Sequence, residues 1–379
     1  MLKPCLKHAG FALLLILAVL PLWLHERPVA SALVMPLDAA MNQRPASMKM
    51  GFACEDCQVP SVHGANVIEK RDGSLLATWF GGSREGGRDV VIWGADYSPA
   101  TQTWTVPRKV IGPDALRDAL GRHIKTVGNS VLVRGKGDRL WLYFVSVSVG
   151  GWAGSALNAM SSDDDGISWG APHRLVTSPF FNVSTLNKCT PVYFVDGSYG
   201  LPVYHEFIGK FSELLRFDRD GHLLEKIRIT HGRRAIQPLL VPLSENRLLA
   251  LMRDTGSSPG HVLLSKSEDG GRHWSEMRVG SLPNPDSAIA GLRRPDGSLL
   301  LVFNDLEAGR NSLALAVSHD EGSSWQVVRH FEQEAGRAEF SYPYLIRSKD
   351  GMMHLVYTWN RKRIRHVEFD DRWVDGGGA

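Results

Sequence analysis

A hairpin pattern that recurs six times confines this chain to a small set of folds. Its clearest copy is Glu339–Trp359, EFSYPYLIRSKDGMMHLVYTW, with an apolar run (Tyr342–Ile346), a turn (Lys349–Gly351) and a second apolar run (Met352–Trp359). Asp-Gly between two β-prone runs marks a hairpin, because glycine takes the positive φ of a tight turn. The same unit starts at His63, Gly128, Asn187, Ile236, Pro285 and Ser341. The copies recur every ~50–65 residues, the spacing of propeller blades rather than of helical arrays. Only Asp114–Arg122 shows helical periodicity. The expected fold is therefore all-β: six blades of four strands spanning residues 50–370. Phe52–Val59 is expected to complete the last blade and close the ring, leaving no free sheet edge.

A second signature repeats between the hairpins. It reads S-x-D-x-G-x-x-W at Ser162/Asp164/Gly166/Trp169, Ser267/Asp269/Gly271/Trp274 and Ser318/Asp320/Gly322/Trp325, with a decayed copy at Tyr97–Trp104. The aspartate accepts from turn amides, the glycine takes positive φ, and the tryptophan tucks under a neighbouring strand. The expected role is structural.

The N-terminus has the form of an export signal. Lys3, Lys7 and His8 precede the apolar run Ala9–Leu24, which contains Pro21, and Ala30-Ser31-Ala32 offers a small-residue cleavage site. We expect residues 1–32 to be a signal peptide or, uncleaved, an inner-membrane anchor, giving a periplasmic or secreted protein. Residues 33–49 read as a linker and 371–379 as a disordered tail. Cys54 and Cys57 form a close pair, read as a local disulfide or two buried thiols; Cys189 reads as core.

With 43 basic and 40 acidic residues, the net charge of +3 gives no case for nucleic acid. Neither a metal motif nor a nucleotide-binding glycine loop emerges, and no cofactor is expected.

In a propeller the innermost strands begin near the axis, so their polar starting residues should converge. These are His63, Asn129, Lys188, Gln237, Asp286 or Ser287, and Tyr342. The second strands end in Arg84-Glu85, His205-Glu206, Arg253-Asp254, Asn304-Asp305 and Arg361, which would form the next layer or the rim. Polar groups around one funnel suit a sugar. Trp152, on the glycine-rich GGWAGS connection, is the tryptophan nominated for substrate contact.

The repeated turns resemble the Asp boxes of the sialidase superfamily. Residues 50–370 resemble its bacterial "predicted neuraminidase" group, with FGGSREGGRDVVIW and EFSYPYLIRSKDGMMHLVYTWNRKRIRHV as the characteristic stretches. The resemblance implies a six-bladed propeller and a glycosidase for an acidic sugar, sialic acid or a related nonulosonic or uronic acid. Arg253 and Arg310 match the second and third arginines of a carboxylate clamp, where guanidinium forks meet a carboxylate. Tyr342 matches the nucleophile. Asp89 sits near the spacing of the acid, with Glu85 competing and Glu206 a spare proton carrier. Two positions depart from the pattern. His63 stands where the first arginine is expected, and Gln237 where a glutamate would draw the tyrosine's proton; glutamine cannot be a base. His63 could itself act as acid or base. A lyase or other glycosidase using His63 and Tyr342, and a non-catalytic glycan-binding propeller, remain alternatives.

Overall fold

The first strand, β1 (Met48–Cys54), belongs to the last blade. Blade one is β2 (Ser61–Glu69), β3 (Leu75–Gly82), β4 (Val91–Ser98) and β5 (Thr103–Trp104), with β6 (Arg108–Ile111) also on β4. Blade two is β7 (Thr126–Arg134), β8 (Leu140–Val147), β9 (Ser155–Ser162) and β10 (His173–Arg174). Blade three has a split inner strand, β11 (Leu186–Asn187) and β12 (Val192–Tyr193), then β13 (Tyr199–His205), β14 (Phe211–Phe217) and β15 (Leu223–Arg228). Blade four is β16 (Ala235–Pro242), β17 (Leu248–Asp254), β18 (His261–Ser267) and β19 (Arg278–Pro283). Blade five is β20 (Ala290–Arg293), β21 (Leu299–Phe303), β22 (Ser312–Ser318) and β23 (Gln326–Gln333). Blade six is β24 (Phe340–Arg347), β25 (Met353–Trp359) and β26 (Arg363–Phe369), with β1 paired antiparallel to β26. This computed structural model describes residues 31–36, 46–178, 182–256 and 258–376. The expected export signal falls almost wholly outside them, and no helix among the described residues is long and apolar enough to cross a membrane.

The six sheets form a closed ring, each inner strand packing on the inner strand of the next blade. Every blade interface is an apolar core. Trp79, Val67 and Tyr344 share one between blades six and one, and Leu76, Phe80 and Leu142 another between one and two. Strands such as β3 and β8 are buried throughout, so they read as continuous apolar runs rather than alternating ones.

The repeated turns tie neighbouring blades. Ser162 Oγ donates to Asp164 at 2.7 Å, accepts from the Gly166 amide at 2.8 Å, and Asp164 caps the Ser168 amide at 2.9 Å. The other two copies repeat this pattern. Gly166 has φ 85°, and a Cβ there would lie 2.5 Å from Leu76 Cδ2 of blade one. Gly271 and Gly322 press in the same way on Leu214 and Leu249 of their preceding blades. Gly166→Ala is expected to cost about 2 kcal/mol or more, from left-handed strain plus overpacking. Urea unfolding would measure it; an unchanged midpoint would show that the turn does not need glycine.

Several expectations about the ends require correction. Ring closure uses β1, which overlaps the expected Phe52–Val59 only at Phe52–Cys54 and starts four residues earlier, because Met48–Gly51 is exposed edge strand without a buried-face pattern. Leu33, read as linker, is 1% exposed and donates its amide to Glu245 O at 2.6 Å. Asp371 and Asp375, read as disordered tail, bracket α2 (Asp371–Val374; α1 is Pro113–Leu120) and pair with Arg294, itself nearly buried. Residues 377–379 lie outside the described residues. Cys54 and Cys57 are disulfide-bonded, and Cys189 is buried and free.

Candidate active site

The inner strands break register where the polar starters sit. Bulges fall between His63 and Asn66, Gly128 and Ser130, Ile236 and Leu239, and Ser341 and Tyr344. A bulge inserts one residue and re-aims its side chain. Gln237 (φ 52°) and Tyr342 (φ 56°) lie in the left-handed region inside two of these bulges, and Asp286 (φ 51°) does so just before β20. Such conformations cost non-glycine residues energy and persist where the surroundings over-determine them, typically at functional sites.

Residues of five blades gather around the Tyr342 phenol, two of them bonded to it directly. Gln237 Nε2 donates to Tyr342 Oη at 3.2 Å and to Tyr204 Oη at 3.3 Å. Arg253 Nη1 donates to Gln237 Oε1 at 3.3 Å and to Tyr342 Oη at 3.4 Å, which fixes the amide's orientation. Asn129 Nδ2 donates to Tyr204 Oη at 3.3 Å. His63 lies beside Tyr342, ring centroids 4.2 Å apart, with the Phe80 ring edge-on at 5.6 Å. Both its ring nitrogens are buried without a hydrogen-bond partner. Burial first, then Arg361, Arg310, Arg253 and Lys188, hold the His63 pKa well below the usual value, so the imidazole is neutral.

Carboxylates hold the arginines. Arg253 Nε donates to Asp286 at 2.6 Å. Arg310 donates to Asp286 O at 2.8 Å and to Glu339 at 3.4 Å, and Glu339 also accepts from Arg361 Nε at 2.9 Å. Burial opposes the Glu339 charge, but Arg361 and Ser341 more than offset it and keep its pKa low. Glu206 is half-buried. Burial raises its pKa, Lys210 and Arg253 lower it, Asp286 raises it, and the net is upward.

The sequence profile of the BNR repeat-like domain family matches residues 73–355, most of the propeller. The chain belongs to that family. No curated protein matches the sequence. Among solved structures, the Hadza microbial sialidase Hz136 is similar over 86% of this chain and 69% of its own, at 18% identity and TM-score 0.71. The intramolecular trans-sialidase of Ruminococcus gnavus, in complex with oseltamivir carboxylate, is similar over 86% of this chain and 97% of its own, at 14% identity and TM-score 0.63. The NanB sialidase of Streptococcus pneumoniae covers 89% of this chain and 72% of its own, at 11% identity and TM-score 0.64. At these identities the likeness is one of fold.

In this BNR-repeat propeller the expected site residues divide into two groups. Tyr342, His63, Gln237, Asn129 and Arg253 are in mutual contact or one residue removed, and Arg310 joins them through Asp286. Glu206 is close enough to Arg253 and Asp286 for both to shift its pKa. Lys188, Asp89, Trp152 and Glu85 sit differently. Lys188 is 4% exposed and donates to Ile289 O at 3.2 Å and to Pro343 O, tying blade three to blades five and six beneath Tyr342; burial lowers its pKa to about 8. It is a buried axial tie rather than a substrate contact. Asp89 is exposed and bound to the Ser83 hydroxyl (2.8 Å) and amide (2.7 Å), bonds that lower its pKa and favour the ionised form over a proton donor. Trp152 lies over Gly128, where a Cβ would meet its ring at 2.4 Å, and donates to Glu85 at 3.2 Å. It packs the wall, and Glu85 reaches on to Arg361. Sequence reading left out Tyr204 and Glu339 and kept Arg361 at the rim. The signal for Arg361 and Glu339 was only that both border the hairpin containing Tyr342.

Proposed function

We propose that this protein is a sialidase-type glycoside hydrolase for a terminal acidic sugar, exported to the periplasm or beyond. The observation that carries the reading is Tyr342 Oη, held by Gln237 and Arg253 beside arginines that each keep a nitrogen without a partner among the described residues. Arg253 and Arg310 take the sugar carboxylate, whose negative charge at the anomeric centre would repel a carboxylate nucleophile but not a neutral phenol. Tyr342 Oη bonds to the anomeric carbon as the bond to the leaving oxygen breaks, and the phenolic proton passes to solvent at the half-open Tyr342. Glu206, with its raised pKa, supplies the proton to the leaving oxygen and becomes a carboxylate. Water then attacks the anomeric carbon, gives its proton to the Glu206 carboxylate and displaces the tyrosine oxygen, which takes a proton back from solvent. Gln237 cannot accept the phenolic proton, and His63 is a weak base in its buried cationic setting, so turnover is expected to be slow.

Purified protein incubated with sialyllactose and with uronic-acid glycosides tests this, reading released sugar by chromatography. Release that Tyr342→Phe abolishes is the expected result. Arg310→Ala should weaken binding of the acidic sugar by about 1.5–3 kcal/mol, the worth of a charged hydrogen bond. Neither release nor binding of any acidic sugar would sink the reading. Gln237 also favours a second one, a propeller that binds acidic glycans without cleaving them; binding with no release would select it.

A further inference from the structure

Building on that reading, the geometry points to Arg361, from the last blade, as the third guanidinium of the ligand site, in place of the arginine expected at His63. Arg361 sits in the turn between β25 and β26, where both Asn360 (φ 50°) and Arg361 (φ 55°) are left-handed without being glycine. The Lys362 amide donates to Trp359 O at 3.0 Å, so these are the two central residues of a hairpin turn, the kind that takes positive φ at both. The turn's other contacts reach across the ring closure. Arg361 O accepts from the Val62 amide at 2.8 Å, the residue before His63. Arg361 Nε donates to Glu339 at 2.9 Å, and Nη1 to Glu85 of blade one.

One carboxylate therefore bridges two guanidiniums, since Glu339 also takes Arg310 and the Ser341 hydroxyl at 2.8 Å. The remaining donors are informative. Arg253 uses Nε and Nη1, Arg310 uses Nη1 and Nη2, and Arg361 uses Nε and Nη1. Among the described residues each keeps one nitrogen without a protein partner: Nη2, Nε and Nη2. All three side chains are partly open, at 13%, 21% and 36% exposure. Together they offer N–H donors to an anion from blades four, five and six.

His63 cannot fill that place. Its ring is wedged between Phe80 and Tyr342 and is 1% exposed. A neutral imidazole presents at most one N–H where a guanidinium presents a fork. The first-blade position is thus an uncharged wall, and the charge it lacks arrives from the blade that the ring closure sets beside it. The ligand carboxylate is gripped from the blade four to six side, with no charged contact from blade one. Glu85 further couples the Ser83–Asp89 loop to this clamp through Arg361.

Titration calorimetry with N-acetylneuraminic acid and its C1 methyl ester, and with glucuronic acid and its methyl ester, tests this. The parent should prefer an acid to its ester by tenfold or more. Arg361→Ala should erase most of that preference while ester binding changes little, and Arg361→Lys should restore part of it. A residue that merely supported the fold would lower acid and ester binding together. Arg361→Gln, which keeps length and hydrogen bonding, stands in if the alanine variant does not fold. An unchanged acid-to-ester ratio in Arg361→Ala, with the ratio lost in Arg253→Ala, would overturn the role of Arg361 and leave the acidic-sugar reading standing. No preference for acid over ester in the parent would overturn both.

Discussion

Replacing Gln237 by glutamate is expected to raise turnover of an acidic glycoside by about 10²-fold, the lower end of what a positioned general base contributes. The side chain is already aimed. Its Nε2 lies 3.2 Å from Tyr342 Oη, a distance at which a carboxylate oxygen would accept the phenolic proton as the oxygen attacks. The substitution is nearly isosteric, and the left-handed backbone at position 237 penalises glutamine and glutamate alike. The new charge would be buried, since Gln237 is 1% exposed. Burial of a charge is tolerable only with partners, and partners are present: Arg253 Nη1 stands 3.3 Å from the Oε1 position and the Tyr204 hydroxyl 3.3 Å from the other arm. Steady-state kinetics on an activated sialoside would show the gain in kcat rather than in KM, because the proton moves only in the transition state. The Gln237→Glu, Tyr342→Phe double variant should return to background. A gain that survives loss of the phenol would mean that Tyr342 is not the nucleophile.

The blade count was legible because each blade announces itself locally by a hairpin turn, and blades two, four and five by an Asp-box turn as well, whose hydrogen bonds span only a few residues. Ser162 and Asp164 act on neighbours in sequence, and their pattern survives translation into a string. The starters were legible for a related reason: an inner strand begins at the axis, so His63, Asn129, Gln237 and Tyr342 converge by topology alone. The bulges that aim them were not, since one inserted residue leaves no mark in an apolar run. Lys188 and Tyr342 occupy equivalent starting positions, yet one is buried against carbonyls and the other is open. That difference lies in Ile289 and Pro343, contributed by other blades. Arg361 was hidden in the same way. Its partners Glu85 and Val62 are near the opposite end of the sequence, and only ring closure makes them neighbours. Asp371 and Asp375 looked solvated because nothing local reveals Arg294.

Acid should loosen the closing blade through a buried histidine pair. His354 and His366 lie on β25 and β26, 3% and 4% exposed, in a hydrogen-bonded line. Trp104 Nε1 donates to His366 Nδ1 at 3.3 Å; His366 Nε2 and His354 Nδ1 are 3.1 Å apart; His354 Nε2 meets Ser348 Oγ at 3.2 Å. The tryptophan N–H can only donate, so His366 Nδ1 is the acceptor and its proton sits on Nε2, facing His354. A second proton on either ring would have to point at a donor. Burial lowers His354 to about 4, with Asp350 opposing, and lowers His366 to about 3, with His354 adding to the effect. In the unfolded chain both protonate near pH 6.5. Above that pH neither state takes a proton, and stability is at its full value. Below it the unfolded chain binds protons that the folded pair refuses, so stability falls as pH drops from about 6.5 towards 4, by roughly 1.4 kcal/mol per pH unit for each histidine. Roughly 4 kcal/mol should be lost for the pair between pH 6.5 and 5. His63 adds a change of the same sign, whereas the Asp-box carboxylates, held to about 2 at Asp164 and Asp320 by hydroxyl and amide donors, act only at lower pH. Urea unfolding at half-unit pH steps should show this slope in the parent. In the His354→Gln, His366→Gln variant it should fall by close to two protons' worth. An equal slope in both proteins would place the acid sensitivity elsewhere and leave the histidine line without thermodynamic consequence.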